Sequence, residues 1–310
     1  VSRSFTRRAI AKWESTARAL IAENIDRSLL GHQVDFVETV ARRFPIQMIS
    51  KLLGVPDRDA EELFHWADAV VYHSDPDFSE LLYDKDDTDP YRQLPFRSPS
   101  SLKVFEYAQR LAVEKAKRPE ADVVSILAAS EDLTPQEFQT FFLLLVIAGN
   151  ETTRHSLSHG ALALAEFPDQ LDRLREEPDL INTATEEILR WASPQIHFRR
   201  TAVCDTELAG VPISTGDKVV TWYISANYDE RAFADPFALD LARNPNPHVT
   251  FGGGGPHICL GAWLARLEVR VFLEEVTRRI RCIRLDGKPQ RIRSNFINGL
   301  KHLPLILETL

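Results

Sequence analysis

From Thr6 to Ala128, apolar side chains recur at every third or fourth position, the spacing that gathers them on one helix face. Ile10, Trp13, Ala17, Leu20, Ile21 and Ile25 make the first stripe, with Ser4 or Thr6 placed to cap it. A second stripe spans 35–53 and stops at Gly54, a residue suited to a left-handed helix end, with Pro56 just beyond. A third opens at Asp57. Residues 74–100 lose the period and fill with Asp, Pro and Ser, so they read as a long exposed loop. Its acidic run DKDDTDP is read as solvated surface in preference to a metal site. Helical spacing returns over 101–117 and, briefly, over 123–129.

The longest helix starts at Thr134-Pro-Gln-Glu137, where a threonine cap, a proline and a glutamate form a capping box. It runs to about Glu166, before Pro168, a rod of roughly 48 Å at ~1.5 Å per residue. Its middle, FFLLLVIAG, is apolar nearly all round, which places the helix through the centre of the protein. At AGNETTRHS polar residues break in, which costs free energy unless polar groups lie opposite. Two shorter helices follow over 169–177 and 181–191. The segments FRRTAV, TELAGVPI and KVVTWYI then read as strands, with turns at Gly210 and Thr215-Gly216. A short helix over 225–233 precedes an irregular stretch marked by Pro236, Pro245 and Pro247. A long helix after Cys259 reaches about Ile280, and residues 281–310 alternate like hairpin strands. The fold class is mainly α with a minor β part.

Composition narrows the setting. The 310 residues are 44% hydrophobic and 26% charged, enough for a large core. A net charge of −8 and a pI near 5.7 argue against a general nucleic-acid binder. The longest apolar run, Phe141 to Gly149, is too short to span a membrane, and no secretory signal is visible. Three widely spaced cysteines make no disulfide framework, so the reducing cytoplasm is the expected compartment.

The chemistry gathers in three places. Phe251 to Arg266 reads FGGGGPHICLGAWLAR. Four consecutive glycines let the backbone run close to something flat or bulky. Cys259 lies just before a helix start, where free N–H groups and the helix dipole favour a thiolate, so it is a nucleophile or a metal ligand. Glu187 and Arg190 share a helix face, and alone such a pair is an ordinary surface ion pair. In the central helix, Glu151 stands beside Thr152, either a proton relay or a kink with a satisfied polar patch. Gly149 there thins the helix for a ligand. Glu151, His155 and His159 are spaced four apart and imitate a two-histidine, one-carboxylate iron site, against which stands plain packing of both histidines. Cys204 and Cys282 are assigned to structural burial. No Cys-x-x-Cys pair supports zinc, and no Lys-Ser/Thr follows the glycines to make a nucleotide loop.

In this order and at these separations, AGNETT, EILR and FGGGGPHICLG together resemble the cytochrome P-450 family of haem-thiolate monooxygenases. They match its Ala/Gly-Gly-x-Asp/Glu-Thr-Thr/Ser, Glu-x-x-Arg and Phe-Gly-x-Gly-x-His-x-Cys-x-Gly patterns. One departure is visible. The phenylalanine usually lies seven residues before the cysteine, whereas Phe251 lies eight before and Gly252 seven, which suggests a wider bulge over the iron. The resemblance covers essentially the whole chain, so 1–310 is expected to be one catalytic domain. Family members usually begin with a β-rich region, and the chain, starting at Val1, is expected to be a truncated piece.

The resemblance makes Cys259 the proximal iron ligand of haem b, with Phe251, Gly252 and Gly261 in the cofactor loop and Ala148 and Gly149 on the opposite wall. His257 and Arg200 hold the propionates. Glu151 and Thr152 deliver protons on the distal side, and Glu187 and Arg190 lock the irregular stretch through Arg243. It further implies insertion of one oxygen atom of O2 into a C–H bond of a hydrophobic substrate. Electrons come from NAD(P)H through a ferredoxin reductase and a ferredoxin. The stretches SANYDE, DLARNPNPH and INGLKHLP are similar to a bacterial branch that hydroxylates sterol side chains and methyl-branched lipids. Ile147, Ala148, Ile196, Phe296 and Ile297 are the candidate substrate contacts. Arg278, Arg279, Arg281 and Arg284 either form a docking face for an acidic ferredoxin or simply meet solvent. The alternative from another class is a haem-binding sensor or ligand sequesterer without turnover.

Overall fold

The axis of the fold is set by a local arrangement at Thr134. Its hydroxyl accepts from the Glu137 N–H at 3.3 Å, while the Glu137 carboxylate accepts from the Thr134 N–H at 2.9 Å. The box closes, and 32 residues follow as one helix, Pro135–Glu166. The computed structural model describes residues 1–29, 33–79, 81–83 and 85–310. Glu80 and Asp84, inside the expected exposed loop, lie outside the described residues.

The helices preceding the axis are α1 (Arg7–Ile10), α2 (Glu14–Leu29), α3 (Arg43–Leu53), α4 (Asp57–Val71), α5 (Ser100–Lys117) and α6 (Val123–Ala128). The axis is α7. After it come α8 (Pro168–Glu176), α9 (Ile181–Ala192), α10 (Tyr223–Asn227) and α11 (Ala262–Arg279). The strands are β1 (Gln33–Asp35), β2 (His197–Thr201), β3 (Thr206–Leu208), β4 (Val211–Ile213) and β5 (Lys218–Trp222). The last four are β6 (Ile280–Leu285), β7 (Gln290–Arg291), β8 (Leu300–His302) and β9 (Pro304–Thr309).

Helices α3, α4, α5, α9 and α11 all pack on α7. Small residues set two of these approaches. A Cβ on Gly160 would lie 3.0 Å from Ile188 of α9 and 3.6 Å from Phe272 of α11. A Cβ on Gly149 would lie 2.6 Å from Ile49 of α3. Gly149 thus admits a neighbouring helix; the expected thinning for a ligand is corrected, because its bare face is filled by Ile49.

Other expectations need adjusting. The second helical unit divides, with a π turn over Val37–Ala41 ahead of α3. Pro45, which has no N–H, cannot bond back to Ala41, so the regular ladder is interrupted there. The helix expected over 225–233 is α10, which ends at Asn227, because Arg190 takes the Asn227 carbonyl at 2.9 Å. The C-terminal strands are not one hairpin: β9 is the middle strand of a β1-β9-β6 sheet, while β7 pairs with β8. In the acidic loop Lys85, Asp86, Asp87 and Asp89 are exposed, but Asp75 is fully buried and binds Lys301 at 2.8 Å. Cys204 is exposed in a turn and Cys282 half-buried in β6, so structural burial fails for the first.

Gly54 ends α3 at φ 79°, and a Cβ there would lie 2.3 Å from Asp122 Cγ. Asp122 cannot yield, because it accepts from Lys115 Nζ and from the Ser125 N–H, both at 2.7 Å. Gly54→Ala is expected to cost about 1–3 kcal/mol of overpacking beyond the strain of a left-handed alanine. Gly210→Ala, equally left-handed at φ 80° but with no atom within 4 Å, is expected to lose only the strain part. Urea midpoints of the two variants check this; equal losses contradict it.

Candidate active site

The cysteine loop is held at its two ends. The Cys259 N–H donates to the Phe251 carbonyl at 3.0 Å, closing the loop on itself. Between them Gly252, Gly254 and Gly255 take φ values of 91°, 101° and 75°, open to glycine and strained for other residues. Around Gly253, Gly254, Gly255 and Gly261 no atom comes within 4 Å of where a Cβ would stand, so the loop surface is bare backbone. Residues 253–260 are all exposed. Cys259 is exposed as a residue, although protein crowds the surroundings of its thiol. Burial pushes its pKa up, against the Gly261 N–H and the Arg266 charge, which pull it down. Desolvation and the helix start thus act in opposite directions on this thiol.

Two adjacent glutamates on α9 organise everything upstream of this loop. Glu187 is wholly buried, as is Arg190, and the two form a paired contact at 2.8 Å through both carboxylate oxygens. Arg243 Nε donates to the same carboxylate at 3.1 and 3.2 Å, Asn246 Nδ2 at 3.0 Å and the Asp240 N–H at 3.2 Å. Arg190 also donates to the carbonyls of Asn227 at 2.9 Å and Pro236 at 3.0 Å. A surface ion pair this is not. Glu186, the neighbour, accepts from Arg266 at 2.7 and 2.9 Å and from His248 at 3.0 Å. Burial would raise the Glu186 pKa, but these donors hold it down at about 2.

The polar segment of α7 splits between two sides. Thr152 is half-buried, and its hydroxyl donates to the Ala148 carbonyl at 2.9 Å. Ala148 and Leu144 are exposed, the latter at 56%, although neighbouring positions of the helix are buried. The helix is thus not covered all round as its apolar run suggested. Glu151 turns inward: it is fully buried, accepts from Asn150 at 2.6 Å and pairs with Arg154 at 3.1 Å. Arg154 reaches Asp68 of α4 at 3.0 Å, and Arg42 approaches Asp68 at 3.8 Å and Glu61 at 2.7 Å. Glu151 and Thr152 are therefore neighbours in sequence whose side chains have different partners. Burial pushes Asp68 up to about 7; Arg154 opposes this and the adjacent Glu151 adds to it. Arg154 stays a cation, its pKa raised by the two carboxylates against the effect of burial. Asp68 escaped the sequence reading, although a lone charge among Leu63, Phe64, Ala67, Val70 and Val71 was a visible signal.

The iron-site reading of Glu151, His155 and His159 does not survive. His155 has both ring nitrogens engaged, Nε2 with the Tyr72 hydroxyl at 2.7 Å and Nδ1 with the Leu300 N–H at 3.3 Å. His159 Nε2 donates to the Asn298 carbonyl at 3.0 Å. Among the described residues no group of three or more His, Cys, Asp or Glu is arranged to hold a metal ion.

The apolar candidates come together at the α7–β8 side. Phe296 bonds Ile196 backbone to backbone at 3.0 Å, Gln195 bridges to Ile297, and Ile147 and Phe296 pack on a small cluster containing Tyr72 and Ile297. Ile297 is 3% exposed, so it supports this wall from within. The Phe296 ring also meets Phe96, His197 and Phe198 at 5.6, 5.8 and 5.9 Å. Phe96 lies in a loop and had no periodic signal. Arg200 is exposed on β2, its Nη1 donating to the Arg199 carbonyl at 3.0 Å, and His257 is exposed in the glycine loop. The arginines at 278–284 are not a bare basic face: Arg281 and Arg284 share Glu308, and Arg278 and Arg279 share Glu275.

Helix α11 meets α7 where Thr153 Oγ1 donates to Glu268 at 3.5 Å. On either side of that contact, Cys259 ahead of α11 and Leu144 on α7 are both exposed. Residues 103–304 match the cytochrome P450 family, and the chain belongs to it. It is a cytochrome P450 monooxygenase. One similar protein is the methyl-branched lipid omega-hydroxylase of Mycobacterium tuberculosis (strain ATCC 25618 / H37Rv), 42% identical, with 98% of this chain covering 70% of that protein. Another is the steroid C26-monooxygenase of Mycolicibacterium smegmatis (strain ATCC 700084 / mc(2)155), 39% identical over 97% of this chain and 68% of that protein. A solved Mycobacterium marinum cytochrome P450 in complex with pseudoionone has a TM-score of 0.90 at 40% identity, covering 98% of this chain and 73% of that chain. The family's cofactor is haem iron, and the residues present fit it. Bare glycine backbone and the apolar Leu144–Ala148 row suit a flat apolar ring, and a lone thiol suffices as protein ligand when the metal arrives in its own ring.

His155 and His159 are buried, and burial pushes each down to about 3. Unfolded histidine titrates near ~6.5. Between those values only the unfolded chain takes up the proton, so the stability contribution is present above about 6.5 and drains away as pH falls towards 3. His159→Gln keeps a donor for the Asn298 carbonyl and removes one titration. The variant is expected to lose less stability between pH 6.5 and 5, by up to about 1.4 kcal/mol per pH unit. Urea unfolding at both pH values checks this; identical losses in parent and variant contradict it.

Proposed function

We propose that residues 1–310 form one catalytic domain in which Cys259 ligates the iron of haem b. The reaction is insertion of one oxygen atom of O2 into a C–H bond of a sterol side chain or methyl-branched lipid, the other oxygen leaving as water. The observation that carries the reading is an exposed cysteine set in a loop of bare glycine backbone. Two electrons come from NAD(P)H by way of a ferredoxin reductase and a ferredoxin, in the cytoplasm. Among the described residues no helix is long and apolar enough to cross a membrane.

A thiolate-ligated haem, when bound, supplies oxygen activation, the sulfur's electron density favouring O–O cleavage. The chain's own residues position that group and move protons. Phe251, Gly252 and Gly261 shape the loop, His257 and Arg200 are the cationic or donor groups for its propionates, and Ala148 and Gly149 lie in the facing helix. Thr152 Oγ1 is the hydroxyl at the distal wall, able to turn from the Ala148 carbonyl and donate outward. Glu151 Oε2, buried, without a hydrogen-bond partner among the described residues and 3.7 Å from His155 Nε2, is the carboxylate atom assigned to the relay. Glu151 must leave Arg154 to reach Thr152, so proton delivery includes a side-chain rotation. Ile147, Ala148, Ile196 and Phe296, with Ile297 behind them, make an apolar wall suited to a lipid or sterol tail. The names of the relatives, a lipid hydroxylase and a steroid monooxygenase, support that class over a sensor that binds haem without turnover.

Thr152→Ala is expected to uncouple the reaction, with NAD(P)H consumption sustained and most of it recovered as peroxide; product yield and peroxide measured together check this. Unchanged coupling removes Thr152 from proton delivery. For the substrate class, a spectral titration is expected to shift with cholestenone or phytanic acid. A shift only with a small aromatic molecule redirects the assignment. For the donor, exposed Arg3, Arg7, Arg8 and Lys12 have no carboxylate partner among the described residues, and Arg7 stacks on Trp263 at 5.4 Å, beside the cysteine loop. Reversing Arg7 and Arg8 to Glu is expected to weaken ferredoxin-driven reduction more than reversing Arg281 and Arg284. Equal effects argue against docking there.

A further inference from the structure

Between α9 and the cysteine lies a chain of contacts that the Glu187 cluster does not include. Glu186 grips Arg266 through two parallel bonds, at 2.7 and 2.9 Å, a geometry that fixes the guanidinium plane. That plane lies 4.4 Å from the centre of the Phe251 ring. His248, whose Nε2 donates to Glu186 at 3.0 Å, has its ring centre 6.0 Å from the same phenylalanine. His248 Nδ1 accepts from the Thr250 N–H at 3.3 Å, so the neutral ring satisfies both bonds. Phe251 is thus fixed by the two groups that one carboxylate holds. The carbonyl of Phe251 is in turn the acceptor for the Cys259 N–H, at 3.0 Å. The loop between them is glycine-rich and bare, its other backbone bonds being local turns from the Gly252 N–H to the Val249 carbonyl at 2.8 Å and from the Ile258 N–H to the Gly255 carbonyl at 3.3 Å.

We infer that Glu186 is a positioning residue for the cysteine ligand: through Arg266 and His248 it fixes Phe251, and through the Phe251 carbonyl it fixes Cys259. The inference rests on Cys259 being the iron ligand. It also has an electrostatic side. Arg266 is a cation on the helix that follows Cys259, and Glu186, bonded to it at 2.7 and 2.9 Å, offsets that charge. Removing the carboxylate loosens the stack and leaves the cation uncompensated, two effects that separate variants resolve. Partners behind a metal ligand typically contribute about 10–100-fold.

The test uses the haem-loaded protein. The parent is first required to give a thiolate-type spectrum with carbon monoxide after reduction, lost in Cys259→Ser; without this the ligand reading fails, and the inference with it. Glu186→Gln keeps the size of the side chain and removes its charge. It is expected to move the one-electron reduction equilibrium about tenfold towards the reduced iron, equivalent to about 59 mV, and to lower the thiolate share of the carbon-monoxide complex. Glu186→Asp is expected to recover most of the potential. Arg266→Lys keeps the cation without the flat stack, so it is expected to lower the thiolate share while the potential holds. This second variant serves where Glu186→Gln does not fold. A parent with the thiolate spectrum, and variants with unchanged spectrum and potential whatever their unfolding midpoint, overturn the inference and leave Glu186 a structural anchor.

Discussion

A carboxylate shut away from water must be surrounded by donors, and the site depends on how α9 meets that demand. Glu187 has no access to solvent, so it draws in Arg190, Arg243, Asn246 and the Asp240 N–H. Arg190 belongs to α9 itself, while Arg243, Asn246 and Asp240 belong to the stretch after α10, which has almost no regular structure of its own. Taking one partner from such a cluster typically costs about 3–5 kcal/mol, because a charge is left buried and unpaired. The long irregular path to the cysteine is therefore held by ion pairs where backbone ladders are absent. Glu186 carries the same constraint one step further, to the start of the glycine loop.

A second cluster, Glu151–Arg154–Asp68, uses the same physics for a different end. Here two carboxyls compete for one buried guanidinium, and burial raises Asp68 to about 7. Asp68 is thereby placed to exchange a proton near neutral pH, whereas the Glu187 cluster serves to hold chain segments together.

Much of this was legible in the sequence where local rules dominate. The capping box at Thr134, the left-handed Gly54 and the extent of α11 follow from residues within a turn of one another. The three motifs gave the family. Orientation was harder to read. Glu151 and Thr152 were taken to face one space, but side chains one residue apart on a helix diverge, and Asp68 and Arg154 draw the acid inward. Gly149 looked like room for a ligand, yet Ile49, a hundred residues earlier, fills it. Leu144 sits in an apolar run that suggested complete burial and is 56% exposed. The thiolate preference of Cys259 follows from the helix start, while desolvation acts against it and the net direction is upward. Each miss turns on a long-range partner that spacing along one element does not reveal.

Cys259, in its bare glycine loop, is proposed as the ligand of a porphyrin-held iron. Iron and porphyrin analysis together with the reduced carbon-monoxide spectrum, taken on the parent and on Cys259→Ser, test this most directly. The account predicts iron and porphyrin in equal amount, with a thiolate-type spectrum in the parent that disappears in the serine variant. Iron without porphyrin, or a thiolate-type spectrum that survives Cys259→Ser, would contradict it.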